Sequence, residues 1–562
     1  MPQRRSRPKA VSRLLLLGSL AATSLLLADP AGAFRLNTGN PDLKLSWDNT
    51  VKYSVAARVE GRADKLVADP NQDDGDRTFD RGLISNRFDL LSEFDAIYKK
   101  DFGIRLSGAA WYDLVYNRST DNDSPGTYNP FSVSSDEFTR DTERLHGRKA
   151  ELLDAFAFGK LEAGPTTTSV RVGQFAQIWG ESLFFGNNGI AGGMAPIDVV
   201  KLLSVPNTQF KELIRPVPQV GAQLQLGPNV SVGAFYQFLW EKTRLPAAGS
   251  YFSTTDVLDE GGERILAGPN PIDPALPPLH FTRADDEEAR DSGQGGIQVR
   301  FRPVSTVDVG LYAIRFHEKT PQVYVRPGQG VQPGPPLTGK VGEYLLVYPE
   351  DVQAYGASAS TTFGAWNLAT EVSMRRNTPL VSPPVVVPAG IPADNRDDPR
   401  YAVGNSVHAQ ISWLASFGPN FLSRESMFLG EVAWNRRTSV TDNSQALDPN
   451  ADRDAWGFRM IFEPSYRQVL SGLDLSVPLG FAYFPKGKSS VVNSFGPHKG
   501  GDLTVGLNAS YLDAWRFGLS YTHFYGPRGV ALVTLPDNSQ HFSYKQSLAD
   551  RDFVSFTVRR TF

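Results

Sequence analysis

Between Leu43 and Val59, apolar side chains occupy every second position. Leu43, Leu45, Trp47, Val51, Tyr53, Val55, Ala57 and Val59 share one parity, broken only by Asn49. Lys44, Ser46, Asp48, Thr50, Lys52, Ser54 and Arg58 share the other, with Ala56 as the one apolar member. Residues two apart lie on opposite faces of a helix but on the same face of a strand. The pattern therefore predicts a strand with one oily face and one polar face.

The same alternation returns at 87–98 and 102–117, then at 149–162, 167–178, 217–227, 230–243, 293–303 and 306–318. It continues at 352–363, 366–376, 404–416, 426–438, 455–467, 473–483, 500–512, 515–526 and 551–562. Together these make about 18 strands, within a range of roughly 16–18. Short links such as Gly227-Pro228-Asn229, Gly364-Ala365 and Asp513-Ala514 alternate with long ones. The long links fall near 60–82, 118–148, 179–216, 244–292, 319–351, 377–403, 439–454, 484–499 and 527–550. This predicts an all-β fold: a transmembrane, antiparallel, up-and-down β-barrel with short periplasmic turns and long outer loops. A soluble β-sandwich or β-helix would hide its oily faces in a dry core and has no need of alternating turn lengths. No 20–50-residue repeat marks a solenoid or propeller.

Composition narrows the picture. The 562 residues include 51 Gly, 40 Pro and no Cys, which excludes disulfides, thiolate metal sites and cysteine catalysis. Mean hydropathy is −0.28, too low for a bundle of membrane helices. With 57 basic and 60 acidic residues there is no basic field for nucleic acid. Arg4, Arg5, Arg7, Lys9 and Arg13 precede the apolar run Leu14 to Leu27, and Ala31-Gly32-Ala33 follows it. Residues 1–33 are thus expected to be a cleaved signal peptide, leaving 34–562 as one barrel domain in the outer membrane of a Gram-negative bacterium. Phe562, at the end of the last alternating segment, is the expected insertion signal for the barrel-assembly machinery.

A barrel of this size is too wide for side chains to fill. Segment 179–216 is too apolar for a solvated loop, and it is the candidate inserted gating loop, with short helical turns. Trp179, Glu181, Leu183, Phe184, Phe185, Ile197, Val200 and Leu203 are its candidate gate or ligand contacts. A packing loop that stiffens the wall is the plainer alternative. Asp89, Glu93, Arg105 and Asp113 are candidate lumen charges. Arg283 to Asp291 reads as a solvated rim. Asp69, Asn71, Asp73, Asp74 and Asp76 resemble a calcium loop, but Gly75 stands one position late and no closing Glu follows, so turn chemistry accounts for them better. The seven His are scattered without metal-ligand spacing. No catalytic residue, metal or cofactor is expected.

Several motifs together resemble the DUF1302 family of outer-membrane proteins, common in Pseudomonas-like bacteria. They are Gly173-Gln174-Phe175 with Ile178 to Ser182, Tyr236 to Arg244 with Gly249 to Thr254, and Glu288 to Gln294. Tyr348 to Asp351, Gly472 to Pro478, Gly506 to Ala509 and Gly518 to Thr522 complete the set. The resemblance implies a barrel that acts on hydrophobic or lipid-like compounds alongside periplasmic or inner-membrane transport partners. The expected function is a non-enzymatic channel or transporter for a hydrophobic or amphiphilic small molecule or lipid, in contact with outer-membrane lipids. A general porin for small polar solutes, a barrel lipase or esterase, and a surface receptor built on the long loops remain as rivals.

Overall fold

The computed structural model describes residues 34–206, 208–332, 335 and 337–562; the expected leader at 1–33 lies outside them. Eighteen wall strands follow one another around a ring. They are β1 (Leu43–Arg58), β2 (Gly82–Tyr98), β3 (Phe102–Asp113), β4 (Arg148–Ala163), β5 (Thr166–Phe175) and β6 (Val217–Leu226). Next come β7 (Val230–Gln237), β8 (Gln294–Val304), β9 (Val307–Phe316), β10 (Val352–Phe363), β11 (Trp366–Pro379) and β12 (Val403–Phe417). The ring ends with β13 (Glu425–Asp442), β14 (Asp454–Leu470), β15 (Leu473–Ser476 and Leu479–Lys486, interrupted at Pro478), β16 (Gly500–Tyr511), β17 (Trp515–Tyr525) and β18 (Phe553–Thr561). Each neighbour is antiparallel, and β18 pairs back onto β1 from Thr50↔Thr561 to Arg58↔Phe553. Phe562 and Asn49 exchange backbone hydrogen bonds of 2.9 and 2.8 Å at the foot of this seam. Beside it, Phe34–Leu36 pairs with Leu45–Trp47 of the same strand.

The two faces separate as the alternation requires. On β1, Thr50, Lys52, Ser54, Ala56 and Arg58 are buried inside the ring. Leu90, Leu311, Val372, Ile411 and Leu507 stand exposed on the outer face. Bilayer hydrocarbon can surround such a wall because closure gives each strand a partner on both sides. The protein is an outer-membrane β-barrel. Among the described residues no helix is long and apolar enough to cross a membrane.

Every predicted segment becomes a wall strand, but several stop early. β5 ends at Phe175 and β7 at Gln237 because the chain turns away from the wall there. β3 ends at Asp113, whose carboxylate accepts the N–H groups of Asn86 and Val115 at 3.0 and 2.9 Å.

The outer connectors are more ordered than the alternation implies. Arg264–Gly268, Leu279–Arg283, Lys340–Val347, Gln322–Pro327 and Val385–Val386 form a mixed five-stranded sheet from three of them. It packs its own core of Tyr324, Leu345, Val347, Val387 and Tyr401. The charge run is correspondingly built in rather than a solvated rim. Arg283 pairs with Asp286 at 2.8 Å, Glu287 N–H donates to Leu346 O, and Arg290 pairs with Glu350 at 3.0 Å.

Leu311 is 47% exposed on the outer face, five residues above the short turn at 305–306. Leu311→Arg is expected to lower folding stability in lipid vesicles by about 2–4 kcal/mol, measured by urea unfolding. A loss well under about 1 kcal/mol would place this position outside the hydrocarbon.

Candidate functional site: a loop folded into the lumen

The connector 176–216 leaves β5 and returns to β6, yet its first half bonds to strands on the far side of the ring. Glu371 on β11 accepts the N–H groups of Glu181 and Ile190 at 2.8 and 2.7 Å. Glu431 on β13, 0% exposed, accepts the N–H groups of Leu183, Phe184 and Phe185 and the Ser182 hydroxyl. Arg375 on β11 donates to the carbonyls of Asn187 and Gly189 at 2.7 and 2.8 Å. Asn188 reaches His408 on β12 and Asn435 on β13 at 3.2 and 3.1 Å. A segment rooted at β5 and tied to β11, β12 and β13 must cross the lumen.

Buried charge is costly unless its bonding capacity is filled. Here the loop backbone fills it: rows of N–H groups converge on carboxylates that point inward from the wall. The short 3₁₀ turns Gly186–Asn188 and Ile190–Gly193 supply the tight curvature. Downstream, Asp198 accepts the Lys201 N–H, starting the helix Val199–Ser204, and pairs with Arg244 at 2.6 Å. Glu151 on β4 pairs with Lys201 and Arg244 at 2.9 and 2.7 Å, fixing the second half of the loop near its own root.

The proposed gate residues divide among several contacts. Trp179 packs edge-on against Phe235 at 4.9 Å, and its backbone N–H donates to the Met194 sulfur. Glu181 pairs with Arg300 at 3.0 Å. Phe185 contacts Phe495 and Phe484 at 5.7 and 6.0 Å between ring centres. Ile197 forms a bridge with Ile214. Val200 is buried with Leu145 and Ala247, and Leu203 packs against the cluster of Phe79, Tyr116 and Tyr251. Leu183 remains exposed and Phe184 half-buried. Most of the loop's apolar side chains therefore hold it in place.

The four lumen charges also separate. Arg105 gathers Glu93, Asp95 and Asp154, and Lys211 of the loop joins Glu93. Asp89 pairs with Arg87 at 2.7 Å. Asp113, bonded to Ser85 at 2.6 Å and to two backbone N–H groups, is a structural cap. The anchors Glu371, Arg375, His408, Glu431 and Asn435 escaped the sequence reading. Parity places them on the inner face, Glu371 and Arg375 with Ser373 and Glu431 and Asn435 with Ala433, but does not single them out as anchors.

Two spaces flank the loop. A cavity of about 760 Å³ lies on the short-turn side, lined by Arg171, Gln177, Gln223, Gln298, Arg300 and Asp308. The second lies in a gap in the wall. β4 pairs with β3 from Arg148↔Tyr112 downward, but with β5 only from Ala155↔Gln174 downward. No described strand pairs with the 148–154 edge on the β5 side, because the chain has already turned into the lumen. The Gln174 amide partly substitutes, donating to Leu153 O at 2.7 Å. A cavity of about 260 Å³ occupies this gap, with Leu152, Leu153, Pro216, Pro218 and Leu239 among its lining, together with Glu151, Lys201 and Arg244. Leu152 is 58% and Leu239 42% exposed.

The sequence profile described as "Protein of unknown function (DUF1302)" matches residues 14–562. The chain belongs to the DUF1302 family. Among curated proteins none matches the sequence. Solved structures that align with this DUF1302 barrel include OccK1 (OpdK) of Pseudomonas aeruginosa, at 9% identity and a TM-score of 0.40, covering 92% of this chain and 98% of that one. OmpT, an outer membrane protein of Vibrio cholerae, aligns at 10% identity and 0.34, covering 95% and 100%. The outer membrane channel DcaP of Acinetobacter baumannii aligns at 9% and 0.36, covering 95% and 100%.

Two outcomes follow for the loop and its surroundings. Glu431→Ala removes the acceptor of three backbone N–H groups and is expected to cost about 2–5 kcal/mol locally. Hydrogen exchange across 182–190 should accelerate and ion conductance should rise; unchanged exchange would disprove the anchoring. His146, in the one-turn π-helix Glu143–Gly147, accepts the Ala247 N–H at 3.2 Å. Burial, then Arg87 and Arg244, lowers its pKa to about 3. The unfolded chain therefore binds the extra proton first, and stability falls as pH drops from about 6.5 towards 3, by about 2 kcal/mol at pH 5. Proteolysis of the 141–147 loop should accelerate between pH 7 and pH 5, and His146→Gln, which keeps an acceptor without titrating, should remove that dependence.

Proposed function

We propose that this DUF1302 barrel moves a hydrophobic or amphiphilic small molecule or lipid across or into the outer membrane, admitting it sideways through the gap beside β4. The gap carries the reading. Leu152, Leu153, Pro216, Pro218 and Leu239 line one part of it, Leu152 and Leu239 being exposed, and Lys149, Arg215, Glu241 and the ion-paired Glu151, Lys201 and Arg244 line another. An amphiphile has the matching order of surfaces: its tail stays against the apolar rim while its head reaches charged groups. The lumen loop then acts as the gate between this entrance and the polar cavity on the periplasmic side. Movement is driven by partitioning and by envelope transport partners.

Among the described residues, a Ser–His–Asn arrangement resembles a catalytic one but is closed to substrate. Ser406 Oγ lies 2.8 Å from His408 Nε2, and His408 Nδ1 lies 3.2 Å from Asn188 Oδ1. Ser406 and His408 are each 1% exposed, so a substrate carbonyl has no path to the hydroxyl. The trio ties the loop to the wall. The rival with an observation behind it is a general porin, favoured by the Arg- and Gln-lined cavity of about 760 Å³.

The absence of Cys makes a decisive experiment clean. Leu152→Cys and Leu239→Cys, joined by a bifunctional thiol reagent, should reduce uptake of a fluorescent long-chain amphiphile into proteoliposomes by about tenfold while leaving ion conductance intact. Amphiphile uptake unaffected by the cross-link, together with rapid swelling by small sugars, would replace this reading with the porin.

A further inference from the structure

Three outer loops meet at a buried acidic cluster. Asp73 and Asp74 come from the connector between β1 and β2, and Asp256 from the connector between β7 and β8. All three are 0% exposed, and one carboxylate oxygen from each lies within 4.8 Å of the others. Asn129, from the connector between β3 and β4, is also 0% exposed, and its N–H donates to Asp74 Oδ2 at 3.0 Å.

The bonding inside the cluster is incomplete. Asp74 N–H donates to Asp256 Oδ2 at 3.2 Å, Asn122 donates to Asp74 Oδ1 at 3.4 Å, and Arg77 donates to Asp73 Oδ2. Asp73 Oδ1, Asp256 Oδ1 and Asn129 Oδ1 are buried without any hydrogen-bond partner. Fully buried oxygens of this kind are costly to leave unmatched. The charge is incomplete as well. Among the described residues, Arg77 is the one basic side chain ion-paired with these three acids. Arg58 and Arg551 are directed instead to Asp76, and Arg58 also to Asp550. Three carboxylates against one guanidinium leave two negative charges, the amount one divalent cation cancels.

We propose that Asp73, Asp74 and Asp256, with Asn129, form a calcium site that joins three outer loops above the mouth of the barrel. Oxygen-only ligands suit a hard cation. Calcium–oxygen bonds of about 2.4 Å allow ligand oxygens up to about 4.8 Å apart, and the three carboxylate oxygens lie within that limit. The ligands do not follow the linear loop pattern sought in the sequence. Asp69 is occupied by the Asn71 N–H and the Gln72 amide, and Asp76 by Arg58. The set is assembled from three connectors that the fold brings together.

The test uses the full mature protein, folded in detergent and stripped with a chelator. Equilibrium dialysis against radioactive calcium should show one bound equivalent at about 1 mM, the range of extracellular calcium modules. Asp74→Asn combined with Asp256→Asn should abolish it, whereas Asp123→Asn, at an exposed position, should not. Calcium should also slow proteolysis within 59–81 and 254–262 of the unmodified protein by about tenfold. In chelator the double variant should resist proteolysis at least as well as the unmodified protein, since its repulsion is relieved, and calcium should not change it. The site is refuted if the unmodified protein binds no calcium or is cleaved equally with and without it, or if the double variant still binds.

Discussion

A backbone polar group surrounded by hydrocarbon must find its partner within the protein. That requirement organises this molecule. It converts a series of half-oily strands, each unstable alone, into a closed ring in which each strand pairs with a neighbour on both sides. It also makes the 148–154 edge notable, because on its β5 side no described strand of the ladder pairs with it. The Gln174 amide bonded to Leu153 O marks where the ladder stops and side-chain chemistry takes over.

Inside the ring the constraint reverses. The wall offers charged groups, and the inserted loop offers backbone. Glu371 and Glu431 are satisfied by five loop N–H groups between them, so wall and loop complete each other's bonding. The loop is consequently a structural part of the barrel with a defined path, and its aromatic residues serve chiefly as fasteners. Of these side chains Leu183 is exposed, Phe184 and Phe185 are half-buried and Trp179 is buried.

The wall was legible in the sequence because strand periodicity is a local property: Leu43 to Val59 declares its two faces without reference to any other segment. Segment 179–216 also stood out, since an apolar connector has to be covered. The anchors did not. Nothing local distinguishes Glu431, which binds the loop, from Glu425, which pairs with Arg467 at the rim. The difference lies in which connector crosses to meet each one. The cap sheet was hidden for the same reason, because Leu279–Arg283 pairs in parallel with Lys340–Val347, about sixty residues downstream. The fourth candidate lumen charge, Asp113, ends a strand, where its carboxylate accepts the N–H groups of Asn86 and Val115.

The seam between β1 and β18 has a consequence for biogenesis. β1 holds Phe34–Leu36 and β2 as soon as they exist, yet its remaining edge waits for Phe553–Thr561, some five hundred residues later. Contacts so distant along the chain form slowly. Until the final strand arrives, any partly built sheet exposes two raw margins, one at each side. Those margins invite self-association, so a factor that holds them apart until closure would decide yield more than the stability of the finished ring.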